Sequence, residues 1–351
     1  MKILIIALSG IGDALMFTPA LKLLKANLPE SQIDALVMYT VAKEIFANNP
    51  NIGKTHHFNF LTENKINSLN FILGLRNKYD ASILVYPSNR KEYNFISYLI
   101  NAKQRVATRY LRRSRQNLDF LNNLSVIEND SVHNVQTNIK LVEALLGRKL
   151  NDEAQLELFL TKEETSFADE FFRTTGIDQS QTVIGFHPGC ATLKNHIKRR
   201  WEPEKFSELG KRLIEKCKSK ILIFGGPDEQ ELKQNISDKI NSGNVIVIDT
   251  KSILQSAAIM KRCNVFVTND SSQMHIASAL GLKVIAIIGP TNKHYIHPWK
   301  TQYEIVSLNL ECRPCFFYSP KPLICSRTDV KFKCIKELTV DMVYEKVLKF
   351  I

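Results

Sequence analysis

The sequence predicts an α/β protein made of two doubly wound, Rossmann-like domains with a cleft between them. Three observations carry that reading. At 351 residues the chain is too long for one ordinary α/β core and suits two. Short apolar, β-rich runs alternate with longer helical patterns over its whole length. The alternation also comes as two successive series, separated by a polar, acidic helix-like stretch at 162–175.

In the first series, 2–8, 33–39 and 81–86 read as buried parallel strands, with helical patterns at 19–28 and 66–76. The stretch 132–146 closes it, with Val135, Ile139, Val142 and Leu146 at helical spacing. In the second series, 182–187, 220–224, 245–248, 265–268 and 284–288 read as strands, and 203–216 and 252–261 as helices. The boundary falls near 160–180, giving domains 1–165 and 166–338. A last helix at 339–351 lines up Val340, Val343, Val347 and Phe350. In sheets of this kind ligands bind beyond the carboxyl ends of the strands, so the loops that follow strands are where chemistry is expected.

The apolar start is short and lacks a small-residue cleavage pattern, and no segment reaches the roughly 18 apolar residues of a spanning helix. A cytoplasmic protein, or one peripheral on a membrane, is expected. The net charge of +12 implies an anionic partner: phosphorylated substrate, anionic lipid or nucleic acid. No zinc-finger, RNA-binding-sheet or helix-turn-helix signature is present, so nucleic acid is not expected.

The first strand runs into Ser9-Gly10-Ile11-Gly12-Asp13. Gly10 and Gly12 permit a tight turn and close approach of a ligand to the backbone. Leu15 stands where a dinucleotide fingerprint needs its third glycine, which argues against a nicotinamide or flavin site. Asp13 is either a helix cap or a base. In the second half, His187-Pro188-Gly189-Cys190-Ala191-Thr192 precedes Lys198-Arg199-Arg200-Trp201. A loop at Gly189 with the Thr192 hydroxyl and the cations Lys198 and Arg199 suits a diphosphate. Phe224-Gly225-Gly226-Pro227-Asp228-Glu229 reads equally as a ligand loop at Gly225 and as plain helix-start chemistry. The sharpest element is Thr268-Asn269-Asp270-Ser271-Ser272-Gln273-Met274-His275. Helix-start N–H groups and the hydroxyls of Ser271 and Ser272 make an anion cradle there, with His275 one turn beyond and Met274 read as core. Gly289-Pro290-Thr291 adds a loop on the same edge.

In order and spacing, these elements resemble glycosyltransferase family 9, the ADP-heptose:lipopolysaccharide heptosyltransferases. The resemblance covers nearly the whole chain. It rests on Gly10-Ile11-Gly12-Asp13 with Thr18-Pro19-Ala20-Leu21, on His187-Pro188-Gly189, on Arg200-Trp201, on Asn269-Asp270-Ser271 through His275, and on Gly289-Pro290-Thr291. It implies two facing Rossmann-like domains of the GT-B type, inversion at the sugar carbon and no catalytic metal. It further implies that Asp13 is the general base, that Thr192 and Arg199 hold the donor diphosphate, and that Asp270, Ser271, Ser272 and His275 complete the donor pocket. The chain departs from the family at three positions. Arg199 stands where Lys is usual, with Lys198 adjacent; Ser272 stands where Gly is frequent; and Pro227 stands where many members carry a polar side chain near the nucleoside.

Cys312-Arg313-Pro314-Cys315, Cys325 and Cys334 have the makings of a four-thiolate site, although the later intervals are not those of a standard zinc ribbon. Structural zinc or iron is favoured over free thiols. Lys103, Arg105, Arg109, Arg112, Arg113 and Arg115 make a dense basic segment. With the first domain as the acceptor side, this segment, at Arg109, Arg112 and Arg113 above all, is expected to meet acceptor phosphates or the anionic leaflet. The leading expectation is transfer of heptose from ADP-heptose to a hydroxyl of a phosphorylated lipopolysaccharide inner-core or related acceptor. Another nucleotide sugar, a protein acceptor, or a degenerate non-catalytic nucleotide-sugar-binding subunit are the alternatives.

Overall fold

The computed structural model describes residues 1–112, 115–151, 154–317 and 321–351. Their contacts divide into two compact units, Met1–Phe159 and Leu160–Phe317 with Lys321–Ile351. The helix Lys162–Thr175 lies with the second unit, and so does the C-terminal helix.

In unit 1 the chain forms β1 (Lys2–Ala7), α1 (Ile11–Met16), α2 (Thr18–Asn27), β2 (Gln32–Val37), α3 (Thr40–Ala47) and β3 (Lys54–His57). It continues with α4 (Lys65–Leu75), β4 (Ala81–Leu84), α5 (Lys91–Ile100), β5 (Gln104–Arg109), β6 (Leu124–Ile127) and α6 (Asn134–Leu146). Among the described residues the six strands pair in parallel in the order β3-β2-β1-β4-β5-β6. The order reverses between β1 and β4, where Ile3 sits opposite Ala81 and Ile6 opposite Leu84. β1 is buried from Ile3 onward because helices cover both faces of the sheet. On one face Leu4, Ile6 and Leu36 pack with Ile72 and Leu75 of α4 and with Tyr93, Ile96 and Ile100 of α5.

Unit 2 contains α7 (Lys162–Thr175), β7 (Val183–His187), α8 (Pro203–Cys217), β8 (Lys220–Ile223), α9 (Gln230–Ile240), β9 (Val245–Val247) and α10 (Ile253–Met260). There follow β10 (Val265–Asn269), α11 (Ser272–Ala279), β11 (Lys283–Ile287), α12 (Lys293–Ile296), β12 (Tyr303–Val306), α13 (Lys333–Lys336) and α14 (Val340–Leu348). The sheet order β12-β11-β10-β7-β8-β9 repeats that of unit 1, with its reversal between β10 and β7. α8 shows how sequence sets local structure. Pro203 occupies the first turn, Phe206, Leu209, Gly210 and Leu213 recur on one face, and all four are buried. Val343 and Val347 of α14 join the same core, so the last helix seals unit 2 rather than standing apart.

The strands absent from the sequence reading, β3, β5, β6 and β12, include the outer strands on three of the four sheet edges. β3 reads Lys-Thr-His-His and none of its residues is fully buried; β6 alternates half-buried and exposed. An edge strand lacks the continuous apolar run that marks a central one. β5 is hidden within the basic segment, since only Val106, Ala107 and Thr108 are buried.

Candidate active site

Each switch point carries a distinct cluster. In unit 1, Gly10 is the N-cap of α1 and Gly12 lies inside that helix, not in the loop where it was expected. The Asp13 carboxylate accepts the Gly10 N–H at 2.9 Å, so the cap is real. A carboxylate has about four acceptor sites, so a cap does not by itself exclude a second role. Asp13 is only partly buried and lies within electrostatic reach of Tyr39, Tyr93 and Tyr110. Burial, with a smaller push from Asp13, raises the Tyr93 phenol to about 12, and its hydroxyl donates to the Leu8 carbonyl at 3.0 Å. The Arg90 guanidinium sits 5.9 Å from the centre of the Tyr93 ring. Arg90, Tyr39 and Tyr93 carried no motif signal; their placement comes from the β2–α3 and β4–α5 turns, which converge on the β1 corner. Thr18 is structural. Its hydroxyl donates to the Leu15 carbonyl and accepts the Glu157 N–H, tying the α1–α2 break to the chain leaving this unit.

The basic segment does not stay together. β5 runs through it, placing Lys103 and Arg105 at the strand's amino end and Arg109 at its carboxyl end, about 13 Å from Arg105 at strand rise. Arg109 is exposed at the carboxyl edge of the sheet, whereas Arg112 is held by both oxygens of Asp130, at 2.8 and 3.4 Å. Arg113 lies outside the described residues.

In unit 2 the loops after β7 and β10 are locked to each other. Asn269 donates to the Pro188 carbonyl at 2.7 Å and accepts the Trp201 N–H at 3.0 Å. Arg199 is buried and donates to Asp270 at 2.7 Å, and Asp270 also accepts the Thr291 hydroxyl at 2.6 Å. Asp270 thus aims Arg199, with the guanidinium 5.4 Å from the Phe316 ring centre. Thr192 and Lys198 are exposed on the 192–199 loop, which turns through left-handed Lys194 and Asn195. Ser271 is the N-cap of α11 yet makes no cap hydrogen bond. Its hydroxyl pairs instead with His187 Nδ1 at 2.9 Å. His187 Nε2 meets Glu229 at 3.2 Å, and Arg200 donates to Glu229 at 3.1 Å and to the Cys190 carbonyl at 2.9 Å. Burial would push the Glu229 carboxyl up, but His187, the Gly226 N–H and Arg200 together hold it below the usual range. A Cβ on Gly189 would sit 1.8 Å from Glu229 Oε1, which explains that glycine by the crowding of this relay. Gly289 similarly admits Ile335, whose Cγ1 would lie 2.5 Å from a Cβ there, and Gly225 packs against Glu229. Glu229, which the sequence offered as a helix-start residue, caps Gly226 and also anchors His187.

Ser272 opens α11, and Met274 is fully buried core. His275 is buried too, and burial lowers its pKa to about 4, so it is neutral at ordinary pH. Its Nδ1 has no hydrogen-bond partner among the described residues. The edge therefore presents a fixed cation, a hydroxyl held by a His–Glu relay and a helix start, a set suited to a diphosphate.

The four late cysteines are free thiols in a segment that packs on this edge. Cys315 N–H donates to the Pro290 carbonyl, and Leu323 N–H to that of Lys194. Burial, and then the neighbouring cysteines, push the Cys315 thiol upward; burial raises the Cys334 thiol to about 11 against an opposing pull by Arg313. Among the described residues no group of three His, Cys, Asp or Glu side chains is arranged to hold a metal ion.

Comparison with known proteins agrees with this architecture. The chain is 26% identical to lipooligosaccharide heptosyltransferase 2 of Campylobacter jejuni over 99% of each chain. Its fold is similar to that of E. coli ADP-heptose lps heptosyltransferase II, with a TM-score of 0.76 at 19% identity, covering 100% of this chain and 98% of that one. E. coli heptosyltransferase WaaC with ADP-2-deoxy-2-fluoro heptose is similar at a TM-score of 0.71 and 17% identity, covering 99% of both. The two Rossmann-like units are thus those of a GT-B fold. The family model of glycosyltransferase family 9 (heptosyltransferase) matches residues 69–321, more than half of the chain and including every strand of the second sheet. By that match, this chain belongs to glycosyltransferase family 9 and is a glycosyltransferase.

Proposed function

We propose that this glycosyltransferase moves heptose from ADP-heptose to a hydroxyl of a lipopolysaccharide inner-core or related acceptor, with inversion at the sugar carbon. The observation that carries the reading is the unit 2 edge, where Arg199, Ser271 and the start of α11 offer charge and donors to a diphosphate. The names of similar proteins support the sugar and the acceptor class. In this reading Asp13 takes the proton of the acceptor hydroxyl while that oxygen attacks the anomeric carbon. The bond from that carbon to the phosphate oxygen breaks, and the diphosphate leaves with the electron pair. Arg199, Ser271, Ser272 and the helix-start N–H groups stabilise the charge that develops, with Thr192 and Lys198 on the adjoining loop. Neutral His275 lines the donor side without adding charge. Gly189, Gly225 and Gly289 let Glu229 and Ile335 pack against the loops of the donor edge, Gly10 opens the Asp13 corner, and Arg109 is the arginine best placed for acceptor phosphate.

Among the described residues no helix is long and apolar enough to cross a membrane, and the enzyme is read as cytoplasmic. The cysteine segment is read as structural; among the described residues its thiols are not arranged as a metal-ligand set, and metal content of the purified protein and of Cys315→Ser tests whether they take up zinc or iron. The function is tested by thermal shift with ADP, UDP, GDP and CMP, then by transfer from ADP-heptose. Selective stabilisation by ADP and heptose transfer are expected. Stabilisation by UDP or GDP alone would move the donor, and no response to any nucleotide would leave a non-catalytic protein.

A further inference from the structure

We propose that the outer face of α4 and α5 docks on an anionic membrane. The two helices pack against the sheet with Ile72, Leu75, Tyr93, Ile96 and Ile100. α4 is also apolar on its opposite side. Ile66, Leu69 and Leu73, at i, i+3 and i+7, are 73%, 44% and 45% exposed. Leu61 precedes them at 55%, and Phe95 and Tyr98 of α5 present the same kind of surface at 49% and 43%. Singly exposed apolar residues are ordinary on a soluble protein, but a stripe along the solvent side of a helix marks a surface that something covers. Nothing in the core explains it, because a helix facing water on one side normally turns polar residues outward.

The charges around the stripe identify the cover. Lys65, Arg76, Lys78, Lys91 and Lys103 are exposed at its ends and flank, with only Glu63 and Glu92 as exposed acids on the same elements. Arg76 donates to the Leu99 carbonyl at 2.9 Å, which ties the carboxyl end of α4 to α5, and Arg105 lies over the Tyr98 ring at 5.8 Å. An isologous contact with a second copy would set these cations against one another. An apolar face rimmed by Lys and Arg is instead what an anionic bilayer interface receives, with the side chains entering the acyl boundary and the cations at the headgroups. Phe58 and Phe60, on the chain leading from β3 to the amino end of α4, pack with Phe71 of that helix, with ring centres 4.3 to 6.1 Å apart. That end follows β3 and therefore lies at the carboxyl edge of the sheet, the edge that carries Asp13. A lipid-borne hydroxyl would reach the base from this side, a consequence that rests on the proposed function; the docking surface does not.

The test is flotation of the full-length protein with phosphatidylcholine vesicles, with and without phosphatidylglycerol. It is run on the wild type and on the combined Ile66→Ser, Leu69→Ser, Leu73→Ser variant. The wild type is expected to float with the anionic vesicles, less so as salt rises, since each cation at the surface is worth about a fivefold change in partition. The variant is expected to lose about tenfold or more in partition, because its apolar insertion is gone. Its melting temperature and its stabilisation by ADP should match the wild type, as all three side chains face solvent. Absence of phosphatidylglycerol-dependent flotation, or flotation of the variant equal to wild type, overturns the proposal. So does a wild-type dimer in vesicle-free solution that the same variant dissolves, which would assign the surface to a second copy. If ADP stabilises neither protein while flotation depends on α4, the donor reading fails and the membrane surface stands.

Discussion

Units 1 and 2 repeat one strand order, yet their switch points carry opposite kinds of chemistry. At the β1 corner the Asp13 carboxylate accepts the Gly10 N–H and lies within electrostatic reach of the Tyr93 and Tyr110 phenols. At the β7/β10 corner the polar groups are paired: Arg199 with Asp270, Ser271 with His187, and Glu229 with His187 and Arg200. In the proposed reading Asp13 is a base, whose task is to accept a proton as the new bond forms. In the same reading unit 2 is an anion site, which must point donors without reorganising, and buried Asp270 holds Arg199 for that task. In that reading the same backbone geometry serves both tasks, and the difference lies in which side chains its corners carry: an acid at one, a cation and hydroxyls at the other.

The comparison is broken most directly at Asp13. Asp13→Asn keeps an acceptor for the Gly10 N–H and removes the base, so turnover should fall about 100- to 10,000-fold with ADP stabilisation unchanged. If Asn sustains turnover, Asp13 is a cap and the contrast between the corners fails. Next in size, Arg199→Ala should weaken ADP binding by roughly 100-fold and lower the melting temperature, since it leaves Asp270 buried without its cation. Arg199→Lys, the residue usual in the family, should recover most of the binding by calorimetry. Smaller still, Glu229→Gln should raise the donor KM about tenfold with kcat nearly unchanged, because it loosens His187 and, through it, Ser271. A drop in melting temperature with KM unmoved would make Glu229 a loop brace only.

The smallest effect is on stability against pH. His275 has a folded-state pKa of about 4, lowered by burial, against about 6.5 when unfolded. Between those values the unfolded chain binds the extra proton, so stability falls as pH drops through that window and is full above it. His275→Gln should reduce the slope there by up to about 1.4 kcal/mol per pH unit, read from denaturant melts at several pH values. An unchanged slope would place the acid sensitivity elsewhere, for instance at His196, which is also lowered to about 4.

Much of this was legible in sequence. The central strands announced themselves as apolar runs, and β7 and β10 ended in the motifs that form the unit 2 edge. The edge strands β3 and β6 did not, because a half-exposed strand has no continuous apolar signal. The motif Asn269-Asp270-Ser271 was visible, but not that Asn269 bridges two loops or that Ser271 turns from its cap to His187. Glu229 and His187 lie 42 residues apart, a separation at which no spacing rule applies.

By itself, then, the sequence determined the class of fold, the place of each corner and the charge available there, because periodicity and turn chemistry are local. The tertiary structure alone decided which charges are spent and which are presented. Arg112 is taken by Asp130, Arg199 is aimed by Asp270, the basic segment is split by a strand, and α4 keeps an apolar face outward. Those outcomes depend on contacts between residues far apart in the chain, whose partners are set only when the sheets close and the loops meet at their carboxyl edges.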